Sequence, residues 1–271
     1  MTQKTLCDCN LTFEDAQELI NNGTDVNADK YGNTPLHLTD NPLVMRLLIE
    51  HGADVNAVNH QLRTPIFLVT PLKMVDLLNE SNRTSMEDFY KMQTYFSRYV
   101  EIVKILIENG ADVNHIDIYD AQPINYITSG WLQNINILNL LIENGADVNH
   151  ACNRFYRPIH GLSNIEIAKV LIKNGAHLNV RSKTLHSTPL DLSFGDDVME
   201  LLISHGALPC VHYDRVRHKF PIEKQIMFDS FNIAASNHDE FFQMCLAYQN
   251  DHKNNIPIEI SDLDFIDNET H

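Results

Sequence analysis

Hydrophobic and polar positions along the chain recur with a period of about thirty residues. The string Leu48-Ile-Glu-His-Gly-Ala-Asp-Val-Asn56 returns from Leu106 to Asn114 and from Leu141 to Asn149. Looser copies run from Leu19 to Asn27, from Leu171 to Asn179 and from Leu202 to Ala207. A second string, Thr34-Pro-Leu-His37, returns as Thr64-Pro-Ile-Phe67, Gln122-Pro-Ile-Asn125, Arg157-Pro-Ile-His160 and Thr188-Pro-Leu-Asp191. Apolar residues stand eight, five and four positions before the glycines, as in Val44, Leu47 and Leu48 or Ile102, Ile105 and Leu106. That spacing lays one stripe on one face of a helix. Thr-Pro predicts the start of a shorter helix before it, because threonine caps and proline needs no N–H in the first turn. The glycine ends the second helix, and a polar connector leads to the next copy. Two short helices cannot cover their own stripe, so neighbouring copies must stack.

The glycines fall at 23, 52, 110, 145, 175 and 206, with one long gap of 58 residues. Overlaying Met74 to Asn82 on Val44 to Gly52 splits that gap into a degenerate copy ending near Asn82 and a second ending at Gly110. Pro221, 32 residues beyond Pro189, opens a further unit, which makes eight. Residues 1–27 are expected to cap the N-terminus, with Asp15 and Glu18 facing water where other copies are apolar. Residues 221–249 read as two closing helices rich in phenylalanine, and 250–271 as an acidic, flexible tail. The aromatic stretch from Ser85 to Arg98 is expected to pack on neighbouring units.

Paired Thr-Pro-Leu-His and Gly-Ala-Asp-Val-Asn strings, in phase over nearly the whole chain, resemble ankyrin repeats. The resemblance implies an all-α fold over residues 1–249: an ankyrin-repeat solenoid of stacked antiparallel helix pairs with projecting β-hairpin loops. It also implies a protein-binding scaffold that uses hairpin tips and the concave face. Within that family the asparagine of Gly-Ala-Asp-Val-Asn can be hydroxylated, which marks Asn56, Asn114 and Asn149. Units with long insertions, together with abundant asparagine and isoleucine, fit an effector of an intracellular bacterium or a viral ankyrin protein acting on a host.

Composition narrows the partners. Twenty lysines and arginines against 36 acidic residues leave a net charge of −16, which disfavours nucleic acid and anionic lipid. No run is long and apolar enough for membrane insertion. Five scattered cysteines and a polar N-terminus point to a reducing, cytoplasmic setting, the host cytosol for a secreted effector. No catalytic signature, cofactor motif or metal-binding spacing is present; Cys210, His212 and His218 match no zinc pattern, and repeat phase accounts for the histidines beside Cys152. The chain therefore reads as a non-enzymatic monomer.

Partner contacts are expected in the connectors, which differ between copies while the helices stay alike. The early loops contribute Tyr31, then His60 and Arg63, then Tyr119. The later ones contribute Arg154, Phe155, Tyr156 and Arg157, then Lys183, then Tyr213, Arg215 and Arg217. Stacked in register, the later loops would form a basic, aromatic strip suited to an acidic segment of a partner protein. A second reading rests on Phe220-Pro-Ile-Glu-Lys-Gln-Ile226, which loosely resembles the opening of an F-box and would make the chain a ubiquitin-ligase adaptor.

Overall fold

Five of the glycine-ended helices are followed by an asparagine that ties them to the next repeat. The computed structural model describes residues 4–8, 11–69, 86–128, 134–153, 156–182 and 185–251, without the side chains of 68–69, 86–96, 233 and 251. They fall into two compact units, Met1–Asp147 and Val148–His271. Unit 1 holds α1 (Phe13–Asn21), α2 (Pro35–Leu38), α3 (Pro42–Glu50), a 3-10 helix (Pro65–Val69), α4 (Met86–Glu108), α5 (Pro123–Thr128) and α6 (Ile135–Glu143). Unit 2 holds α7 (Ile165–Lys173), α8 (Pro189–Leu192), α9 (Asp196–Ser204), α10 (Tyr213–Val216), a second 3-10 turn (Arg217–Lys219), α11 (Ile222–Ala234) and α12 (His238–Asp251). No strand forms among the described residues, only an isolated bridge between Lys30 and Asn33. The hairpins are thus closed by one or two backbone hydrogen bonds, such as Asn59 to Arg63 at 3.0 Å and Ser182 to Ser187 at 2.9 Å, not by paired strands.

The apolar stripe is the core. Val44, Leu48, Ile102, Leu106, Ile137, Leu141, Ile167, Leu171, Val198 and Leu202 are all buried. A further position, seven before each glycine, is buried in every copy as Met45, Val103, Leu138, Ala168 and Met199. The first-helix residues Leu36, Ile66, Ile124, Ile159 and Leu190 are fully buried as well. The first helices themselves are short: α2 and α8 are single four-residue turns, and Arg157 to His160 makes only a turn. Among the residues of α1 only Ala16 is buried, and Glu18 faces water, as a terminal cap requires.

Five helix ends share one device. The residue before the glycine returns its side chain to the carbonyl four residues back: Asn109 to Ile105 at 2.7 Å, Asn144 to Leu140 at 2.8 Å and Asn174 to Val170 at 2.8 Å. His51 and His205 do the same through Nδ1, each at 2.8 Å. A carbonyl only accepts, so the ring N–H donates, and these histidines act as hydrogen-bonding caps like the asparagines. Gly52, at φ +88°, then turns the chain in the left-handed region that any side chain would strain.

The asparagine five residues into each connector forms a rung. Asn27 donates to the Gly52 carbonyl at 3.1 Å and accepts from the Asp54 amide at 2.9 Å. Asn114 does so with Gly145 and Asp147, Asn149 with Gly175 and His177, and Asn179 with Gly206 and Leu208. Asn56 bonds to Gly110 at 3.0 Å and to the Asp112 amide at 2.9 Å. That rung makes the turns at Gly52 and Gly110 direct neighbours, whereas a copy ending near Asn82 was expected between them; Asn82 lies outside the described residues. The Pro65–Val69 turn and α4 pack together, and α4 packs on α3. The aromatic side chains from Met86 to Phe96 lie outside the described side chains.

Candidate protein-interaction surface

The hairpin tips of unit 1 hold apolar side chains in solvent by rigid means. Hairpin two is pinned at its base by Arg63. Its Nε donates to Asp117 at 3.0 Å, its Nη2 to the Tyr126 hydroxyl at 2.5 Å, and its guanidinium lies 4.7 Å from the Tyr126 ring centre. Burial acts to raise the Asp117 carboxyl, but hydrogen bonds from Tyr126, the Tyr119 and Ala121 amides and Arg63 outweigh it and hold it below the usual range. Burial and Asp117 in turn push the Tyr126 hydroxyl up to about 12. The third hairpin joins the second through the Ile118 amide to the Gln61 carbonyl at 3.1 Å, and His115 reaches the Leu62 carbonyl at 2.8 Å. At the first hairpin, the Lys30 ammonium pairs with Asp8 at 3.0 Å. His37, kept below its ordinary pKa by burial, bridges Thr34 to the Arg63 carbonyl at 2.9 Å.

What these braces present is apolar. Tyr31 is 87% exposed, Leu62 50%, and Ile118 and Tyr119 each 47%. Tyr31 and Leu62 stand at φ +58° and +55°. Asparagine, aspartate and glycine tolerate that region, but a leucine or tyrosine there is strained. Asp120 and His186 share the conformation at their own tips and are better suited to it. Sequence reasoning placed Tyr31, His60 and Tyr119 in these loops and passed over Leu62 and Ile118. The available signal was apolar residues standing in polar connectors: Val58 and Leu62 in the second, Ile116 and Ile118 in the third.

The later loops are arranged differently. Arg154, Phe155 and Lys183 lie outside the described residues. Tyr156 packs edge-on against the buried His160, with ring centres 5.9 Å apart. Arg157 donates to the Asn149 carbonyl at 3.0 Å and approaches His177 at 3.3 Å. Tyr213 is no loop-tip residue: it is 4% exposed, packed on Phe228 and Phe241 with ring centres 5.8 and 5.4 Å away, and its hydroxyl donates to Asp229 at 2.9 Å. Arg215 donates to the Asp191 carbonyl at 2.9 Å and to the Ser193 carbonyl. Arg217 grips Asp229 with two hydrogen bonds, Arg181 pairs with Asp239, and Lys219 sits 2.9 Å from Asp196. Several cations of the expected basic strip are thus engaged within their own unit, Arg181 and Arg217 by carboxylates of α12 and α11, while Arg215 and Arg217 stay exposed.

Asp191 shows how the same slot is retuned. Where other copies carry histidine, this buried carboxylate accepts the amides of Thr188, Cys210, Val211 and His212 at 2.8 to 3.2 Å and so anchors the chain leading to α10. Asn56, Asn114 and Asn149 use both polar atoms of their amides in the rungs described above. Burial pushes the Cys210 thiol up to about 12 and that of Cys245 also upward, so neither supplies a thiolate.

The ankyrin repeat family model matches residues 31–60 and 95–118. An ankyrin repeat protein of fowlpox virus, FPV244, is 30% identical over 119 residues, covering 41% of this chain and 18% of that protein. Human ankyrin repeat and SOCS box protein 5 is 33% identical over 78 residues, or 28% of this chain and 24% of that protein. The rabbit protein of the same name is 40% identical over 62 residues, or 22% and 19%. This chain thus spans less than a quarter of the length of each of these relatives. The matched segments, the buried stripes of paired helices and the asparagine rungs together support the ankyrin repeat family for this chain, in the form of an all-α ankyrin-repeat solenoid.

Proposed function

We propose that the chain is a non-enzymatic scaffold that captures a partner protein on the hairpin tips of unit 1. Tyr31 and Leu62 carry this reading. An exposed leucine and tyrosine in a conformation that disfavours them gain nothing for the fold, and strain of that kind belongs at binding surfaces. Replacing Tyr31 and Leu62 by asparagine, and Ile118 by serine, relieves the strain and removes the apolar surface together. The variant is expected to fold at least as stably as the parent while losing the partner captured from a eukaryotic lysate. Retention of the same partner by a folded variant would sink the reading. Similarity of one stretch to a fowlpox virus protein supports a host-targeting role for this capture, in the host cytosol.

A second reading, a ubiquitin-ligase adaptor, has its own support. Helix α11 turns Phe228 inward yet leaves Ile222 and Ile226, one turn apart, 63% and 61% exposed, and two of the relatives are named for a SOCS box. Copurifying ligase subunits that vanish with Ile222→Asp and Ile226→Asp would establish it. No ligase subunit in either preparation would exclude it.

A further inference from the structure

Between the first and second hairpins of unit 1 lies a groove of about 400 Å³ whose lining includes Tyr31, His37, His60, Gln61, Arg63 and Thr64 and contains no aspartate or glutamate. No carboxylate lines the groove itself, although Asp117 pairs with its Arg63 at 3.0 Å. The groove is also rich in donors. The Nη1 of Arg63 and the side-chain amide of Gln61 have no partner among the described residues, and neither does the His60 ring. His60 reaches its place only because Gly32 has no side chain: a Cβ there would lie 2.5 Å from the ring.

Thr64 supplies the independent observation. It is 1% exposed, and its hydroxyl has no hydrogen-bond partner. The equivalent hydroxyls are satisfied by the fourth residue of the same string: Thr34 engages His37 Nδ1 at 2.9 Å, and Thr188 engages Asp191 at 3.1 Å. Here that position is Phe67, which has no acceptor, so a buried hydroxyl in the groove's lining is left unpaired.

We infer that this groove takes a carboxylate side chain from an apolar–acidic segment of the partner protein. The carboxylate accepts from Thr64, Gln61 and Arg63, while flanking apolar residues lie against Tyr31 and Phe67. This rests on the reading that the unit 1 tips are the binding surface and specifies what they recognise. The lining explains the preference: a carboxylate accepts from several donors at once, whereas a lysine would add donors to donors.

The test uses the full chain and acetyl-Leu-Glu-Leu-amide, with Gln and Lys counterparts, titrated against backbone amide NMR signals. The Glu peptide is expected to shift Gly32, His60, Gln61 and Thr64, and to bind at least about tenfold more tightly than the Gln peptide. Thr64→Val removes the unpaired hydroxyl at constant shape, so it should leave the fold as stable or more so while weakening the Glu peptide about tenfold. Equal binding of the three peptides, no shift with any of them, or unchanged affinity in Thr64→Val each overturns the inference. If the Tyr31, Leu62 and Ile118 variant still abolishes partner capture, the scaffold reading survives that failure.

Discussion

In unit 1 the hairpin tips hold Tyr31, Leu62 and Ile118 out in solvent, while in unit 2 Arg157, Arg181, Arg215 and Arg217 bend back onto carbonyls and carboxylates of their own unit. Both edges are built from the same repeat. The difference lies in what each side chain finds within reach. An arginine has five N–H groups that accept any nearby oxygen, and unit 2 supplies those oxygens through α8, α11 and α12. An apolar residue at a rigid, strained tip finds no such partner and stays exposed. Charge counted in the sequence therefore does not tell which cations stay unengaged, because their partners lie in other segments.

The contrast can be broken at its strongest point first. Phe241 is 1% exposed in the ring cluster that holds the closing helices and thus positions the carboxylates taking Arg217 and Arg181. Phe241→Ala is expected to cost about 3–5 kcal/mol in urea unfolding. A loss below about 1 kcal/mol would mean that α11 and α12 are only lightly attached.

Next comes pH. Burial holds His160 down to about 4, against an ordinary 6.5. A histidine whose folded value is depressed is held in the neutral form, so its stabilisation is complete above pH 6.5 and is lost as pH falls toward 4. The slope is at most about 1.4 kcal/mol per pH unit. His160→Asn copies Asn125, which already occupies this slot and accepts the Gln122 amide at 2.9 Å, as His160 accepts that of Arg157 at 3.0 Å. Urea midpoints of the two proteins should diverge between pH 7 and pH 4.5, with the histidine form losing more. Parallel curves would show that this ring does not titrate across the window.

The smallest effect sharpens the comparison. Arg217→Glu places a like charge beside Asp229 and removes an exposed pair, which is expected to lower stability slightly and leave partner capture unchanged. Loss of capture in a folded Arg217→Glu protein would move the binding surface back to unit 2.

Much of the array was legible in the sequence because stacking imposes the same burial on every copy. Three stripe positions were read directly. The fourth, at Met45, Val103, Leu138, Ala168 and Met199, was missed although it is apolar in all five copies, since a narrow stripe was assumed where the helix is covered on two sides. The long gap was harder to read. Local similarity between Met74 to Asn82 and a true helix end says nothing about which turns touch; the rung from Asn56 to Gly110 shows that those two do. Among the proposed contact residues, Tyr31, His60 and Tyr119 were found on open tips because loop phase places them there. Tyr213 proves to be buried, and Arg215 and Arg217, though exposed, find partners 12 to 24 residues away that no local pattern announces.

From sequence alone came the repeat, the helix pairs, the buried face and the glycine turns, each set by short-range chemistry that thirty residues suffice to express. Tertiary structure alone decided which repeats are neighbours, which charges remain available and which hydroxyl goes unpaired. Those depend on oxygens and ring faces supplied by distant segments, and a one-dimensional pattern records no distance between them.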